Sequence, residues 1–396
     1  MIELVEVSSG SEFKEFLSFP YRLYKDHPYW VPPLYFDEKN TLSPSKNPAY
    51  SYCEARLWLA VENGTTLGRI AAIRNDRYIE KWGNRYLRFG WLDLVDREDV
   101  ADALFSAVED WAREQNMTAV HGPLGFTDLD REGLLVWGFD EKETLPMIYN
   151  YPYYPAHIER LGYEKDVDWL QFIIPVPDKM HDKFDRLKKV VMERNNLSLL
   201  RFTSSKEVIS YGEEVFRVIN EAYSDLYGVV ELDERQVQTY IKQYLSFVRP
   251  EFIKIMVNED REVVAFAIAL PRLSDALQQA KGRLFPFGFI HLLRAMKRPK
   301  DLVFYLIGIK PAYQNRGLNA ILLTELYKSC IEHDIDSVQT CGELEHNSNI
   351  VTLMKNFEHR TNNRRPSYLK HSSIPPTHKT PRHAPPLSCT STGEPP

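Results

Sequence analysis

The chain is 396 residues long, too long for one ordinary core and long enough for two domains with additional segments. With 43% hydrophobic and 26% charged residues it has the make-up of a soluble globular protein. Lys and Arg total 49 against 55 Asp and Glu, a net charge of −6, so no global basic field argues for a nucleic-acid partner. Four cysteines, Cys53, Cys330, Cys341 and Cys389, lack C-x-x-C spacing and read as reduced, mostly buried thiols of a cytoplasmic protein. The N-terminus carries no basic n-region, and no stretch approaches membrane-spanning length, so no transmembrane segment is expected.

In chain order, a short apolar strand (Ile2 to Val7) runs into Ser9-x-x-Glu12, a capping box ahead of a helix carrying Phe13, Phe16 and Leu17. The Pro- and Tyr-rich stretch from Phe19 to Tyr52 reads as an ordered loop that packs its aromatics between domains. Leu57 to Val61 and Leu67 to Ile73 form a hairpin around Asn63-Gly64, the strongest short turn signal. A strand from Tyr86 to Val95 feeds a helix with Val100, Leu104, Val108 and Trp111 on one stripe. A fifth strand, Thr118 to Gly122, and a final helix, His157 to Leu161, complete this half, and a polar linker helix is expected over 177–196.

The same order then returns. Leu197 to Phe202 and Ser204-x-x-Glu207 repeat the start at an offset of 195 (204 − 9), and the hairpin around Asn258-Glu259-Asp260 keeps that offset (259 − 64). Leu302 to Ile309 and a helix with Leu322, Leu326 and Cys330 repeat the next strand and helix at an offset of 215 (309 − 94). The change reflects an insertion between Arg272 and Pro299. The fifth strand, Ser337 to Gly342, follows at 219 (336 − 117), so the first half lacks four residues (219 − 215) after its fourth strand, and a final helix, Ile350 to Phe357, closes this half too. Two domains are therefore expected, 1–176 and 197–371, the second with an inserted helical segment over 272–299, and a disordered Pro, Ser, Thr and His tail over 372–396. His378 and His383 in that tail are compositional, and no metal site is expected. Within the insertion, Phe287, Ile290 and Leu293 alternate with Arg294, Lys297, Arg298 and Lys300. A lid over the reaction cleft is favoured for 283–300 over a weak membrane-surface contact or an oligomer contact, because the segment leads directly into the strand at Leu302.

The loop after that strand is the most chemical stretch. The first N–H groups of a helix have no internal partners and carry about half a positive charge, so an anion docked there meets both deficits. Gly317 lets the backbone approach such a ligand without an intervening Cβ. The matching turn of the first half, Asp96-Arg97-Glu98-Asp99, carries three carboxylates that repel a phosphate.

Gln314-Asn315-Arg316-Gly317-Leu318-Asn319-Ala320 resembles the pyrophosphate loop Q/R-x-x-G-x-G/A of the GNAT N-acyltransferases; Gln314 and Gly317 match, and Asn319 departs. The repeated order of elements is similar to that family too. The resemblance implies an α/β fold of two tandem GNAT-like domains, each a mixed, mostly antiparallel sheet flanked by helices, with a degenerate first copy. It implies acetyl-CoA in a splay between the fourth and fifth strands, its pantetheine on the backbone around Ile307, Gly308 and Ile309. The pyrophosphate would meet Gln314, Asn315, Arg316, Gly317, Leu318 and Asn319, and Asn347 or Asn349 would lie near the pantetheine. Glu343 and Glu345 would share one strand face, so either is a candidate base or a solvated strand end. No Tyr stands between Ile350 and Phe357, which leaves Tyr305 or Tyr368 to protonate the departing thiolate. The implied reaction moves an acetyl or other acyl group to a primary amine of a small molecule or peptide. Fem-type aminoacyl transfer, long-chain acyl transfer and non-catalytic ligand binding remain as alternatives, although a tRNA user should show a stronger basic stripe.

Overall fold

The computed structural model describes residues 1–180, 182–245, 248–345 and 358–372. The first half runs β1 (Glu3–Glu6), α1 (Gly10–Leu23), α2 (Tyr35–Thr41), β2 (Cys53–Glu62), β3 (Thr65–Asn75), α3 (Asp76–Trp82), β4 (Tyr86–Leu94), α4 (Glu98–Glu114), β5 (Ala119–Gly122), α5 (Tyr154–Arg160) and β6 (Glu164–Pro175). The second runs α6 (Asp182–Arg194), β7 (Ser198–Leu199), α7 (Ser205–Ser210), α8 (Gly212–Ala222), α9 (Glu234–Tyr244), β8 (Ile253–Val257), β9 (Val263–Pro271), α10 (Ser274–Ala280), α11 (Gly288–Lys297), β10 (Asp301–Ile309), α12 (Leu318–Glu332), β11 (Ser337–Thr340), β12 (Glu343–Leu344) and β13 (Arg360–His371).

Local chemistry accounts for the paired starts. The Ser9 hydroxyl accepts from the Glu12 N–H, and the Glu12 carboxylate accepts from the N–H groups of Ser8 (2.7 Å) and Ser9 (2.8 Å), which holds its pKa down at about 2. Ser204 caps α7 in the same way, with its hydroxyl taking the Glu207 N–H. At the first hairpin Asn63 and Gly64 both take left-handed backbone (φ 50° and 75°), as a tight two-residue turn between twisted strands requires. α4 buries Val100, Leu104, Val108 and Trp111 against one face of the first half, and α12 buries Leu322, Leu326 and Cys330 against the corresponding face of the second.

The halves are joined by one continuous sheet in the order β1-β2-β3-β4-β5-β13-β6-β11-β10-β9-β8-β7, with β12 attached to β6. Each half passes its last strand to the other. β6 pairs antiparallel with β11 of the second half, β13 pairs antiparallel with β5 of the first, and β6 and β13 pair with each other along the centre. Sequence patterning finds neither strand. β13 contains Arg364, Arg365 and Pro366, the last beside a register shift, and its burial is polar: Asn362, Asn363 and Arg365 are buried. Arg365 is satisfied by Gln171 of β6 and by the Glu143 carboxylate, so charge pairing stands where alternating apolar residues would ordinarily mark a strand.

The loop from Phe19 to Tyr52 stacks Trp30 on Tyr24 (ring centroids 5.3 Å apart) and seats Val31 and Leu34 against Ala276, Leu277 and Leu292 of the inserted hairpin α10–α11. Gln278 Nε2 donates to the carbonyls of Pro28 and Trp30, both at 2.9 Å. The helix expected at Ile350 to Phe357 and the tail over 373–396 lie outside the described residues. Among the described residues no helix is long and apolar enough to cross a membrane.

Candidate active site

β10 and β11 run parallel only from Asp301 opposite Ser337 to Phe304 opposite Thr340, and their last bond joins the Cys341 N–H to the Phe304 carbonyl (3.2 Å). Two features part them beyond that point. β10 carries a bulge at Tyr305, the extra residue between Phe304 opposite Ala269 and Leu306 opposite Ile268, which re-aims the strand. β11 passes through Cys341 and Gly342 into β12, which pairs with Leu170 and Trp169 of β6 instead. The opening is a cleft of about 460 Å³ walled by Phe304 to Ile309 on one side and Cys341 to Leu344 on the other.

At one end of the cleft lies the loop that joins β10 to α12. It spans eight residues, 310–317, against three, 95–97, between β4 and α4. Asn315 (φ 59°) and Gly317 (φ 84°) both take left-handed backbone, and Gly317 stands directly before α12. Among the described residues, the successive N–H groups of Asn315, Arg316, Gly317, Leu318 and Asn319 meet no acceptor, whereas the next, Ala320, donates to the side-chain oxygen of Asn319 (2.9 Å). Unpaired amides converging at a helix start form a nest for an anion. Gln314, Asn315, Leu318 and Asn319 line the cleft. The Arg316 side chain turns away from it, stacking over Tyr313 (5.2 Å) and donating to Asn195 (3.1 Å).

The corresponding turn of the first half is closed by its own side chains. Arg97 binds Glu62 (2.7 Å) and Asp99 (2.6 Å), and His157 meets Asp96 (2.9 Å). The hydroxyls of Tyr153 and Tyr154 occupy the carbonyl and N–H of Leu94 (2.7 and 2.8 Å), the residue that corresponds to Ile309. In the second half the Ile307 carbonyl accepts from the Tyr223 hydroxyl (2.8 Å) and the Ile309 carbonyl from Gln314 Nε2 (3.2 Å). Gly308 serves packing, because a Cβ there would stand 2.5 Å from the Phe266 ring.

Burial sets the titration of the cleft walls. The Glu343 carboxyl faces the cavity from β12 and is pushed up to about 7 by desolvation. Glu345 follows β12, its N–H on the Asp168 carbonyl (2.9 Å), and it does not line the cleft: its carboxylate pairs with Lys165 (3.3 Å). Tyr305 lines the cleft with its hydroxyl pushed well above its ordinary value, first by burial and then by Tyr244. Tyr368 lies elsewhere, on β13, with its hydroxyl on Glu159 (3.1 Å). Asn347 and Asn349 lie outside the described residues.

Sequence reasoning missed the opposite wall, which the first half supplies. The stretch between Gly122 and Tyr154 has neither helix nor strand and brings Asp128, Asp130 and Glu132 to the cleft. Burial raises Asp128 and Asp130 to about 6 and Glu132 well above its ordinary value, with the neighbouring carboxylates adding to each shift. The length of the stretch and its run Asp128-Leu129-Asp130-Arg131-Glu132 were the signals available. Also missed is a cavity of about 160 Å³ between the halves, mostly apolar but lined as well by Asp37, Glu38, Arg69, Asp93, Asp130 and Arg131; it shares Leu129, Asp130, Pro146, Met147 and Tyr305 with the cleft. Its far wall includes Leu292 and Met296 of α11, so the inserted hairpin covers this cavity and contributes nothing to the lining of the larger cleft.

No protein-family model matches the sequence. Protein YghO of Escherichia coli (strain K12) is 29% identical over 356 residues, which cover 87% of this chain and 89% of that protein. The bacterial ceramide synthase of Caulobacter vibrioides (strain NA1000 / CB15N) is 28% identical over 323 residues, 79% of this chain and 82% of that protein. Among solved structures, a tandem GNAT protein from the clavulanic acid biosynthesis pathway superposes with a TM-score of 0.53 at 12% identity, covering 94% of this chain and 98% of its own. The fold is thus a tandem GNAT fold, as the repeated order of elements implied.

Glu343 makes the site testable without a substrate. Its folded pKa, about 7, exceeds the unfolded 4.5, so the folded state holds the extra proton and stability falls as pH rises between these values. Glu343→Gln removes that cost. Its Tm should exceed that of the wild type at pH 8 and match it closely near pH 4.5, and a variant with the same difference at both pH values would refute a proton held on Glu343.

Proposed function

We propose that this chain is an N-acyltransferase that moves an acyl group from a coenzyme A thioester to a primary amine by direct attack, with a long aliphatic chain on one of the two substrates. The observation that carries the proposal is the run of unpaired N–H groups from Asn315 to Asn319 at the end of a cleft between splayed strands. Each N–H bond to a charged oxygen is worth about 1.5–3 kcal/mol, which suits a pyrophosphate. The carbonyls of Ile307 and Ile309 each keep a second lone pair for the amides of a pantetheine arm lying along β10. The thioester supplies the activated acyl carbon.

The remaining work belongs to the chain. A primary amine arrives as ammonium, with a reference pKa of about 10.4. The carboxyls of Asp128, Glu132 and Glu343 line the cleft and favour a cation. Glu343, poised near neutrality, takes the proton. As the C–N bond forms and the C–S bond breaks, the Tyr305 hydroxyl, kept protonated by its surroundings, donates to the leaving sulfur, and the second proton released by the nitrogen as it becomes an amide restores the Tyr305 hydroxyl through solvent. Beyond Tyr305 and Met147, the part of the second cavity lined by Leu145, Leu273, Leu292, Met296 and Val303 suits an aliphatic chain, and the charged residues of the same cavity, among them Glu38 and Arg131, suit a polar end. One relative is named a ceramide synthase, and a ceramide is an N-acylated long-chain amino alcohol.

Calorimetric titration with acetyl-CoA should show binding to the wild type and at least about a tenfold loss in Gly317→Val, because a β-branched residue is strained at φ 84°. Unchanged affinity would sink the loop assignment. In turnover, kcat/KM should fall about tenfold per pH unit below about pH 7, and Glu343→Gln should lose about 10²-fold or more together with that limb of the profile. Retention of the limb in the variant would move the base elsewhere. Met147→Trp, at the junction of the two cavities, should raise KM for long-chain substrates and leave short ones nearly unaffected; equal effects on both would remove the aliphatic chain from this cavity.

A further inference from the structure

The inserted hairpin presents a surface unlike the rest of the chain. Phe285 is 81% exposed, Phe287 69%, Leu293 58% and Phe289 38%. Phe289 and Leu293 lie one turn apart on α11 and share a face, while Leu292 and Met296 point inward to the second cavity. Between 281 and 300 there are six Lys and Arg and no Asp or Glu, whereas the whole chain carries −6, so the remainder carries −12. Lys281, Arg283, Arg294, Lys297, Arg298 and Lys300 are exposed, and none forms an ion pair among the described residues. Arg283 instead covers the Tyr35 ring at 4.7 Å.

We infer that this hairpin docks on the surface of an anionic lipid bilayer, with Phe285, Phe287, Phe289 and Leu293 entering the interface and the surrounding cations meeting lipid phosphates. A cluster of exposed aromatic side chains ringed by cations of one sign is the pattern of interfacial insertion. Each cation near an anionic leaflet adds attraction that salt screens. A second copy of the chain suits the patch poorly, because a two-fold contact would set six cations against six. The inner face of the same helix walls the second cavity, so a chain leaving the bilayer would reach that cavity over a short path. This last link rests on the aliphatic reading proposed above; the docking itself does not.

The test is co-sedimentation of the full chain with vesicles of phosphatidylcholine mixed with phosphatidylglycerol and with vesicles of phosphatidylcholine alone. The chain should pellet with the mixed vesicles, weakly with the neutral ones, and less as salt is raised. The paired changes Phe287→Ser and Leu293→Ser should lower partitioning about tenfold. Arg294→Glu with Lys297→Glu should abolish the preference for anionic lipid, and a Phe287→Trp probe should shift its emission to the blue on adding mixed vesicles. No pelleting by the wild type, full pelleting by the variants, or a wild-type dimer that Phe287→Ser converts to monomer would each overturn the inference. Acetyl-CoA titration of the same samples keeps the two proposals separable, since vesicle binding requires no cofactor site.

Discussion

The pairing of β6 with β13 along the middle of the sheet is the constraint from which the rest follows. Each strand leaves its own half to complete the other, so neither half closes its sheet alone. The seam is held by charge: buried Arg365 lies between Gln171 and Glu143, while buried Asp168 meets the partly exposed Lys165 (2.6 Å) and Arg364. Buried ions of this kind are costly unless paired and hydrogen-bonded, which makes the arrangement specific to one register. Through the seam the stretch between β5 and α5 is drawn across to the second half, where it furnishes a wall of the cleft. Glu143, in that stretch, binds the seam, and Asp128 to Glu132 lie in the same stretch at the cleft.

The two halves also test one another. Both have a bulged fourth strand, at Trp91 and Leu92 in the first and at Tyr305 in the second, and a helix that starts just after it. They differ in how the helix start is satisfied. In the first half Arg97, His157, Tyr153 and Tyr154 consume the available charge and hydrogen bonds. In the second, a longer loop with two left-handed residues leaves consecutive N–H groups without an acceptor among the described residues. A shared topology thus yields one closed turn and one receptive one, and the difference lies in loop length and side-chain chemistry. Desolvation then sets the proton affinity of what faces the receptive side. Carboxyls that would be ionised on a surface have their pKa values raised toward 6 or 7 in the cleft.

Local signals in the sequence determined a good deal: the capping boxes at Ser9 and Ser204, the hairpin at Asn63-Gly64, the amphipathic stripes of α4 and α12, the internal repeat, and the loop at Gln314 to Asn319. Each depends on residues within a few positions of one another, where propensity and periodicity act. Only the tertiary structure decided the strand exchange, because β13 is stabilised by partners from Glu143 and Gln171, some 200 residues distant, and carries no alternating apolar pattern. It also gave Glu343 and Glu345 different surroundings, Glu343 in the cleft lining and Glu345 paired with Lys165. The acidic wall at Asp128 to Glu132 and the second cavity behind Tyr305 are likewise products of packing between halves, for burial and desolvation are properties of the assembled chain that no short stretch of sequence contains.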